Sequence, residues 1–179
     1  IGSQENNVHL TGCYGVALTG NCIYSCGNRN LLIEDSRQIA VGANTFRRHT
    51  PELGTGVRVV NSSDITFTGC SILDEHPEGQ PSGASLLELS ASRRVNISGC
   101  QLLDGVPCGI DAHDCSNVII TGCTIHDARA QLRSRHAIRF AGQGDGNLIG
   151  MNTFGPTLES SLVLSDTAGV TVHDNGPEF

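Results

Sequence analysis

The chain has 179 residues and a formal net charge of −7, with 11 basic residues, all arginine, against 18 acidic ones. This charge argues against nucleic acid as a partner, and the absence of lysine excludes Schiff-base chemistry. Aromatic residues make up only 4% of the chain, so the core must be filled by small and β-branched side chains. No apolar run is long enough to cross a membrane as a helix, and we expect no membrane partner.

Along the chain, a Cys or Asn recurs at the same place in a repeated pattern, at intervals of about 27 residues. An apolar residue stands five positions before almost every one of these anchors. The anchors are Cys13, Asn44, Cys70, Cys100, Cys123, Asn152 and Asn175. The apolar partners are Val8, Ile39, Ile65, Val95, Val118 and Val170. The sixth repeat aligns with the others only if it contains one inserted residue near Gly142–Gly146.

A second apolar alternation starts thirteen positions before each anchor, as in Leu31-x-Ile33 and Ile110-x-Ala112. Apolar residues at every second position predict strands that are buried on one face. The pattern therefore predicts two strands per repeat. Loops of variable length would close the repeats, and the first repeat would retain only its second half. We expect the chain to be a fragment of a longer protein.

Repeats of this length, with the variation confined to one set of loops, are typical of a solenoid. No segment has the 3.6-residue period of a helix, so we predict an all-β parallel β-helix. It would have about six to seven rungs (turns of the solenoid) of about 27 residues and form a single domain over residues 1–179.

The recurring Asn-x-Ile/Val-x-Ile/Val/Phe-x-Gly-Cys/Asn-x-Ile pattern and its inward Asn/Cys ladder resemble the right-handed parallel β-helix of the pectin-lyase-like superfamily. The resemblance implies that fold and a secreted, periplasmic or cell-surface location. It does not imply one activity, because the superfamily includes lyases, hydrolases, epimerases and non-catalytic stalks.

The eight cysteines fall into two groups. Cys13, Cys70, Cys100 and Cys123 occupy the inward anchor column, where we expect buried free thiols that pack as small apolar side chains. Cys22 with Cys26 and Cys108 with Cys115 are the better candidates for disulfides.

The outward residues of stacked rungs should lie side by side. Twelve positions before the anchors, the rungs in the middle of the chain carry Arg58, Glu88, Asp111 and Arg139. Ten positions before the anchors, Ser90 and His113 are neighbours. One interpretation is a ladder of ion pairs that keeps a strand face in water. Against it, Glu88 and Asp111 would be adjacent like charges, which is unfavourable unless a function requires it.

The run Gly109-Ile110-Asp111-Ala112-His113 resembles the Tyr-Gly-Phe/Ile-Asp-Pro-His active-site motif of mannuronan C5-epimerases. That resemblance implies that Asp111 and His113 act at C5 of a uronate and that Arg139, one rung further, neutralises its carboxylate. Cys108 stands where the family has Tyr, and Ala112 where it has Pro, so the second acid or base is missing. His76, His126 or His136 could supply it from loops whose positions the sequence does not give.

These residues predict an enzyme that acts on an acidic, uronate-containing polysaccharide by lyase or C5-epimerase chemistry. The catalytic residues would be His113, Asp111, Arg139 and Glu88, with Arg58, Ser90, His76 and His136 binding the substrate. Two alternatives stay open. One is a glycoside hydrolase in which Glu88 and Asp111 form a retaining pair. The other is a non-catalytic carbohydrate-binding or cell-surface module.

A last column, four positions after the anchors, contains Asp74, Asp104 and Asp127. Stacked aspartates at a strand-to-loop corner are candidate ligands for Ca²⁺, the usual cofactor of pectate-lyase-type sites. Aspartates at such positions also cap turns through the nearby backbone. The sequence leaves both roles open.

Overall fold

The computed structural model describes residues 2–47, 56–75 and 84–176. They form a parallel β-solenoid of about six turns with about 26 residues per turn, as the repeat predicts. Every pair of neighbouring strands is parallel. The helical part of the described residues is one short 3-10 turn, Asp166–Ala168. None of the described helical segments is long and apolar enough to cross a membrane.

The strands stack into three faces. The first face contains β1 (Gly2–Thr11), β3 (Cys22–Glu34), β6 (Val57–Val60), β9 (Leu87–Ser90), β12 (Cys108–His113), β15 (His136–Ala141) and β18 (Leu162–Leu164). The second face contains β2 (Tyr14–Thr19), β4 (Arg37–Gly42), β7 (Ser63–Thr68), β10 (Arg93–Ser98), β13 (Ser116–Thr121), β16 (Asn147–Gly150) and β19 (Val170–His173). The third face contains β5 (Thr45–Arg47), β8 (Ser71–Leu73), β11 (Gln101–Leu103), β14 (Thr124–His126) and β17 (Thr153–Phe154), joined by the first residues of β3.

The prediction of two strands per rung was wrong, because the third face supplies another strand in most rungs. Apart from β3, the strands of the third face are only two or three residues long. Each contributes a single inward side chain, such as Ile72 or Ile125. An alternation needs at least two inward positions before a period of two can be seen in the sequence.

The assignment of the first rung was also wrong. Val8 pairs with Leu31 on the first face, whereas Val16 pairs with Ile39 on the second. The first rung therefore has strands on both of these faces, and its anchor is Asn21, whose backbone N–H donates to Oδ1 of Asn44 at 2.9 Å. The error arose because Val8 and Cys13 happen to have the five-residue spacing of a true anchor pair.

The anchor column combines two kinds of side chain. Asn44 and Asn152 are buried, and each accepts from a backbone N–H of the preceding rung and donates to one of its carbonyls. Between them, Cys70, Cys100 and Cys123 fill the column as buried thiols, as predicted. Cys13 lies at a different corner.

The disulfide predictions were wrong. Neither Cys22 and Cys26 nor Cys108 and Cys115 are joined by a disulfide in the structure. Cys108 and Cys115 are both fully buried, and they belong to two different corners of one rung, at the start and just after the end of β12. Like the ladder thiols, they pack as small apolar side chains.

The inserted residue predicted near Gly142–Gly146 is present. Asp111 pairs with Arg139, 28 positions later, whereas Ile119 pairs with Leu148, 29 positions later. The additional residue lies in the corner between β15 and β16. Gly142 and Gly146 have positive φ values there, 78° and 63°.

Candidate functional site

The first face presents the predicted charged column in its outward positions. Backbone register pairs Arg58 with Glu88, Glu88 with Asp111, and Asp111 with Arg139. Below, "charged column" means these four residues. The prediction of their order was correct, because the strands of this face all keep the period of two.

Each carboxylate of the charged column is paired with arginine. Asp111 accepts from Nε of Arg139 at 2.8 Å, and its second oxygen accepts from Nη2 of the same guanidinium. This pairing raises the pKa of Arg139, mainly because its guanidinium donates hydrogen bonds to Asp111. Because Nε and Nη2 are engaged, Nη1 remains directed away from the carboxylate, and the side chain is 45% exposed. A second anion could therefore still approach this arginine.

Glu88 is held by groups from two other strands. Nη2 of Arg29, on β3, donates to Oε2 of Glu88 at 2.8 Å, and Nε of Arg58 lies 3.9 Å from the same oxygen. The backbone N–H of Ser85 donates to Oε1 at 3.1 Å. The expected repulsion between Glu88 and Asp111 is thus offset by arginines on both sides. Three guanidinium groups surround two carboxylates, so this part of an acidic protein is locally positive.

His113 follows Asp111 on β12 and also faces outward, and its side chain is 60% exposed. Its Nδ1 lies 2.8 Å from Oδ2 of Asp114. An ionised carboxylate can only accept, so Nδ1 carries the hydrogen, and Nε2 of a neutral ring is left as an acceptor. This is the arrangement that a histidine general base requires. Ser90 is the rung neighbour of His113.

Cys108, at the position of the epimerase Tyr, and the three histidines predicted as the second acid or base lie in different parts of the chain. Cys108, in place of the epimerase Tyr, is fully buried, and burial raises the pKa of its thiol to about 11. His136 is held by the next rung, with Nδ1 2.9 Å from the carbonyl oxygen of Ser160 and Nε2 3.5 Å from Oε2 of Glu159. His126 lies on the third face, and His76 lies outside the described residues.

The aspartate corner is organised around Arg129, whose side chain is 9% exposed. Its guanidinium donates to Oδ1 of Asp127 at 3.1 Å and to the backbone carbonyls of Asp74 at 3.2 Å and Asp104 at 2.5 Å. Arg129 therefore contacts residues of three successive rungs.

The carboxylates of this corner also cap its loop. Oδ2 of Asp127 accepts from the backbone N–H groups of Arg133 and Ser134, both at 2.7 Å. Oδ1 of Asp104 accepts from the N–H of Ala128 at 2.7 Å. Burial alone would raise the pKa of Asp127, but these N–H donors and Arg129 outweigh it and lower the pKa. These contacts place Asp104 and Asp127 in the turn-capping role that the sequence left open, and the part of the chain that the structure describes contains no cluster of three potential metal ligands.

Three important residues of these sites were not found from the sequence. Arg29 lies in β3 before the recognised alternation and meets Glu88 across a separation of 59 residues. Asp114 and Arg129 lie in a turn and a loop, where the repeat says nothing about side-chain direction. A simple signal existed for Asp114, since a carboxylate directly after a candidate catalytic His is a natural partner for it.

Comparisons with known proteins support the fold. No match was found among curated proteins. Among solved structures, a candidate glycosyl hydrolase from Parabacteroides merdae aligns with a TM-score of 0.59 at 13% identity, covering 88% of this chain and 80% of that protein. The A-module of the Azotobacter vinelandii mannuronan C-5 epimerase AlgE4 aligns with a TM-score of 0.62 at 14% identity, covering 96% of this chain. The AlgE6 A-module gives 0.51 at 12% identity and 92% coverage.

The chain spans 59% of the length of each of the two epimerase modules. At these identities the likeness concerns the fold alone. Residues 6–176 match the family model described as a right-handed β-helix region, which is nearly the whole chain. Together with the parallel rungs, this match shows that the chain belongs to the right-handed β-helix family.

Proposed function

We propose that this chain acts on an acidic, uronate-containing polysaccharide, by abstracting the proton at C5 of a uronate unit. The observation that carries the proposal is the pair of His113 and Asp114 beside a cluster of arginines. Proton removal next to a carboxylate needs a base that accepts the proton and a cation that neutralises the carboxylate. His113 would be the base and Arg139, through Nη1, the cation.

The roles of the other residues follow from their contacts. Asp114 holds the ring of His113 in the tautomer with Nε2 as the acceptor. Asp111 orients Arg139 through two hydrogen bonds, and Arg29 and Arg58 keep Glu88 from repelling an anionic substrate. Reprotonation of C5 on the opposite face would give epimerisation, whereas loss of the substituent at O4 would give β-elimination. Polysaccharides of this kind occur outside the cytoplasm, which supports the proposal that the protein acts outside the cytoplasm.

A glycoside hydrolase is less well supported by these contacts. A retaining pair needs one of its two carboxyl groups to carry a proton. Glu88 and Asp111 are instead each paired with arginine, and both pairs would have to break.

A non-catalytic binding module is the alternative from another class, because the same ion pairs also keep a strand face in water. The test uses polymannuronate and polygalacturonate in D₂O. Deuterium at C5, followed by NMR, reports proton exchange, and ultraviolet absorbance reports the unsaturated product of elimination. We expect a signal with at least one polymer. A loss of about 100-fold or more is expected for His113→Gln, since a general base contributes that much.

The matched control is His9→Gln. His9 is also an exposed histidine paired with a carboxylate, with Nε2 2.8 Å from Oε2 of Glu34, but its strand, β1, lies four strands from β12, which carries His113. It should retain full activity. Full activity in His113→Gln would contradict the assignment of the base. Binding of either polymer without exchange or elimination would support the non-catalytic module instead.

A further inference from the structure

A polar groove follows the corner between the first and second faces, running along the solenoid axis. It consists of two adjoining depressions of about 390 and 330 Å³ that share Asn61 and Ser63. One depression reaches Tyr14 and the other reaches Ser116. We call this surface the corner groove. It ends at Asp114, the partner of His113, so it leads to the candidate catalytic face.

One side of the corner groove is a column of aligned residues, one from each rung. The register pairs Tyr14 with Arg37, Arg37 with Ser63, Ser63 with Arg93, and Arg93 with Ser116. Small serines thus alternate with arginines. Neighbouring strands lie about 4.8 Å apart, so Arg37 and Arg93 are separated by about 10 Å along the axis.

The floor of the corner groove is rigid. Ser36, Ser62 and Ser92 are buried, and each hydroxyl donates to the carbonyl oxygen two residues before it at 2.7 to 2.8 Å. Each also accepts from a backbone N–H of the preceding rung at 3.0 to 3.2 Å. This chain of hydrogen bonds fixes the spacing of the residues above it.

The corner groove is lined by two arginines, Arg37 and Arg93, and by two carboxylates, Asp35 and Asp114. Each carboxylate already has a hydrogen-bond partner, since Asp35 accepts from Nδ2 of Asn61 at 2.6 Å and Asp114 is paired with His113. Arg37 and Arg93 are exposed, and within residues 2–47, 56–75 and 84–176 neither has a carboxylate oxygen within 4.0 Å, which leaves both guanidinium groups open to an anionic ligand.

Tyr14 adds an aromatic surface at one end. Its side chain is 62% exposed, and the guanidinium of Arg37 lies 4.7 Å from the centre of its ring. An exposed aromatic ring beside fixed polar groups is suited to the apolar face of a sugar ring. The pair therefore offers a contact for the sugar ring and a cation for its acid group at one place.

We propose that the corner groove binds an acidic oligosaccharide along the solenoid axis, with Arg37 and Arg93 each binding a carboxylate. One strand spacing is close to the length of one pyranose unit. In an extended 1,4-linked polyuronate, alternate units present their carboxylates on the same side. Arginines two rungs apart match that repeat, and the small Ser63 between them leaves room for the unit that faces away. The substrate class rests on the proposed function, but the binding itself does not require turnover.

Calorimetric titration of the His113→Gln protein with a mannuronate tetramer tests the proposal without turnover. A neutral mannose tetramer is the ligand control. Arg37→Gln and Arg93→Gln should each weaken mannuronate binding about five- to tenfold, because each removes one guanidinium–carboxylate contact. Arg47→Gln is the matched protein control, since the Arg47 side chain is 40% exposed and paired with Glu75 at 2.7 Å but lies on the third face, away from the corner groove. It should bind like the parent.

Three results would overturn the proposal: no binding of the mannuronate tetramer, equal binding of the neutral tetramer, or unchanged affinity in both arginine variants. The outcomes separate it from the proposed function. If the wild type binds the tetramer but shows no C5 exchange, the enzymatic activity is refuted and the proposal that the corner groove binds the oligosaccharide stands. If C5 exchange occurs with an unchanged KM in Arg37→Gln and Arg93→Gln, binding in the corner groove is refuted and the enzymatic activity stands.

Discussion

Arg129 offers the sharpest test of how the rungs are tied together. Replacing it by Met keeps much of the aliphatic stem but removes all three hydrogen bonds from the guanidinium. Asp127, whose side chain is fully buried, then loses its guanidinium partner, and the carbonyls of Asp74 and Asp104 lose a donor. Removing one member of a buried ion pair costs about 3–5 kcal/mol, so we expect Arg129→Met to lower the free energy of unfolding by that amount.

The matched control is Arg135→Met, in the same loop region. Arg135 pairs with Glu159 at 2.8 Å, but the two side chains are 60% and 47% exposed. An exposed pair contributes about 0–1 kcal/mol, so the control should change stability by no more than that. Urea denaturation followed by circular dichroism measures both values. A loss below about 1 kcal/mol for Arg129→Met would refute the buried role of the guanidinium.

The pH dependence gives the same reasoning a second check. The folded protein lowers the pKa of Asp127, so this carboxylate stabilises the fold above its unfolded pKa of about 3.9. That contribution is lost as the pH falls through the lower, folded pKa. The difference between wild type and Arg129→Met should therefore shrink in acid. A difference that grows in acid would contradict the ion pair.

Three further outcomes are expected. Gly109→Ala should destabilise the protein by about 1–3 kcal/mol in denaturant titrations, since its Cβ would come within 2.4 Å of a core side-chain carbon. Gly42→Ala, with its nearest contact at 3.5 Å, should be tolerated, and equal losses would refute the packing argument. Asn152→Leu should lower the free energy of unfolding by about 2–4 kcal/mol in the same assay, because it leaves buried backbone groups without hydrogen bonds. An unchanged free energy of unfolding would show that the anchor column needs only a side chain of the right volume. Arg94 lowers the pKa of Asp64 to about 2, and NMR titration of Arg94→Gln should return that pKa toward about 3.9.

The sequence predicted the parts of the molecule that obey the repeat. Glu88, Asp111 and Arg139 could be aligned by counting residues alone because the strands of the first face keep one period, and a single counting error would have turned them inward. The one counting error that did occur, at Cys13, concerned a rung in which a chance spacing imitated the pattern.

The parts that the sequence could not predict are contacts made outside the repeat. The pairing of Arg29 with Glu88 depends on where β3 passes around a corner, and nothing local in the sequence encodes that position. Arg129 acts from a loop whose course is set by the hydrogen bonds of Asp127. Arginine has long reach and several rotamers, so its partner is decided by three-dimensional proximity more than by sequence position.

The additional residue between β15 and β16 has a consequence for how this chain can change in length. Because Gly142 and Gly146 take it up at a corner, the register before it, at Asp111 and Arg139, is unaffected by it. The register after it, from Ile119 to Leu148, is also regular. An insertion or deletion at this corner therefore leaves the inward or outward direction of the strand side chains unchanged. The same event inside a strand would turn the inward residues of the rest of that strand outward, and the outward ones inward. Indels in proteins of this kind should accordingly be aligned to corners, with the face columns kept in register.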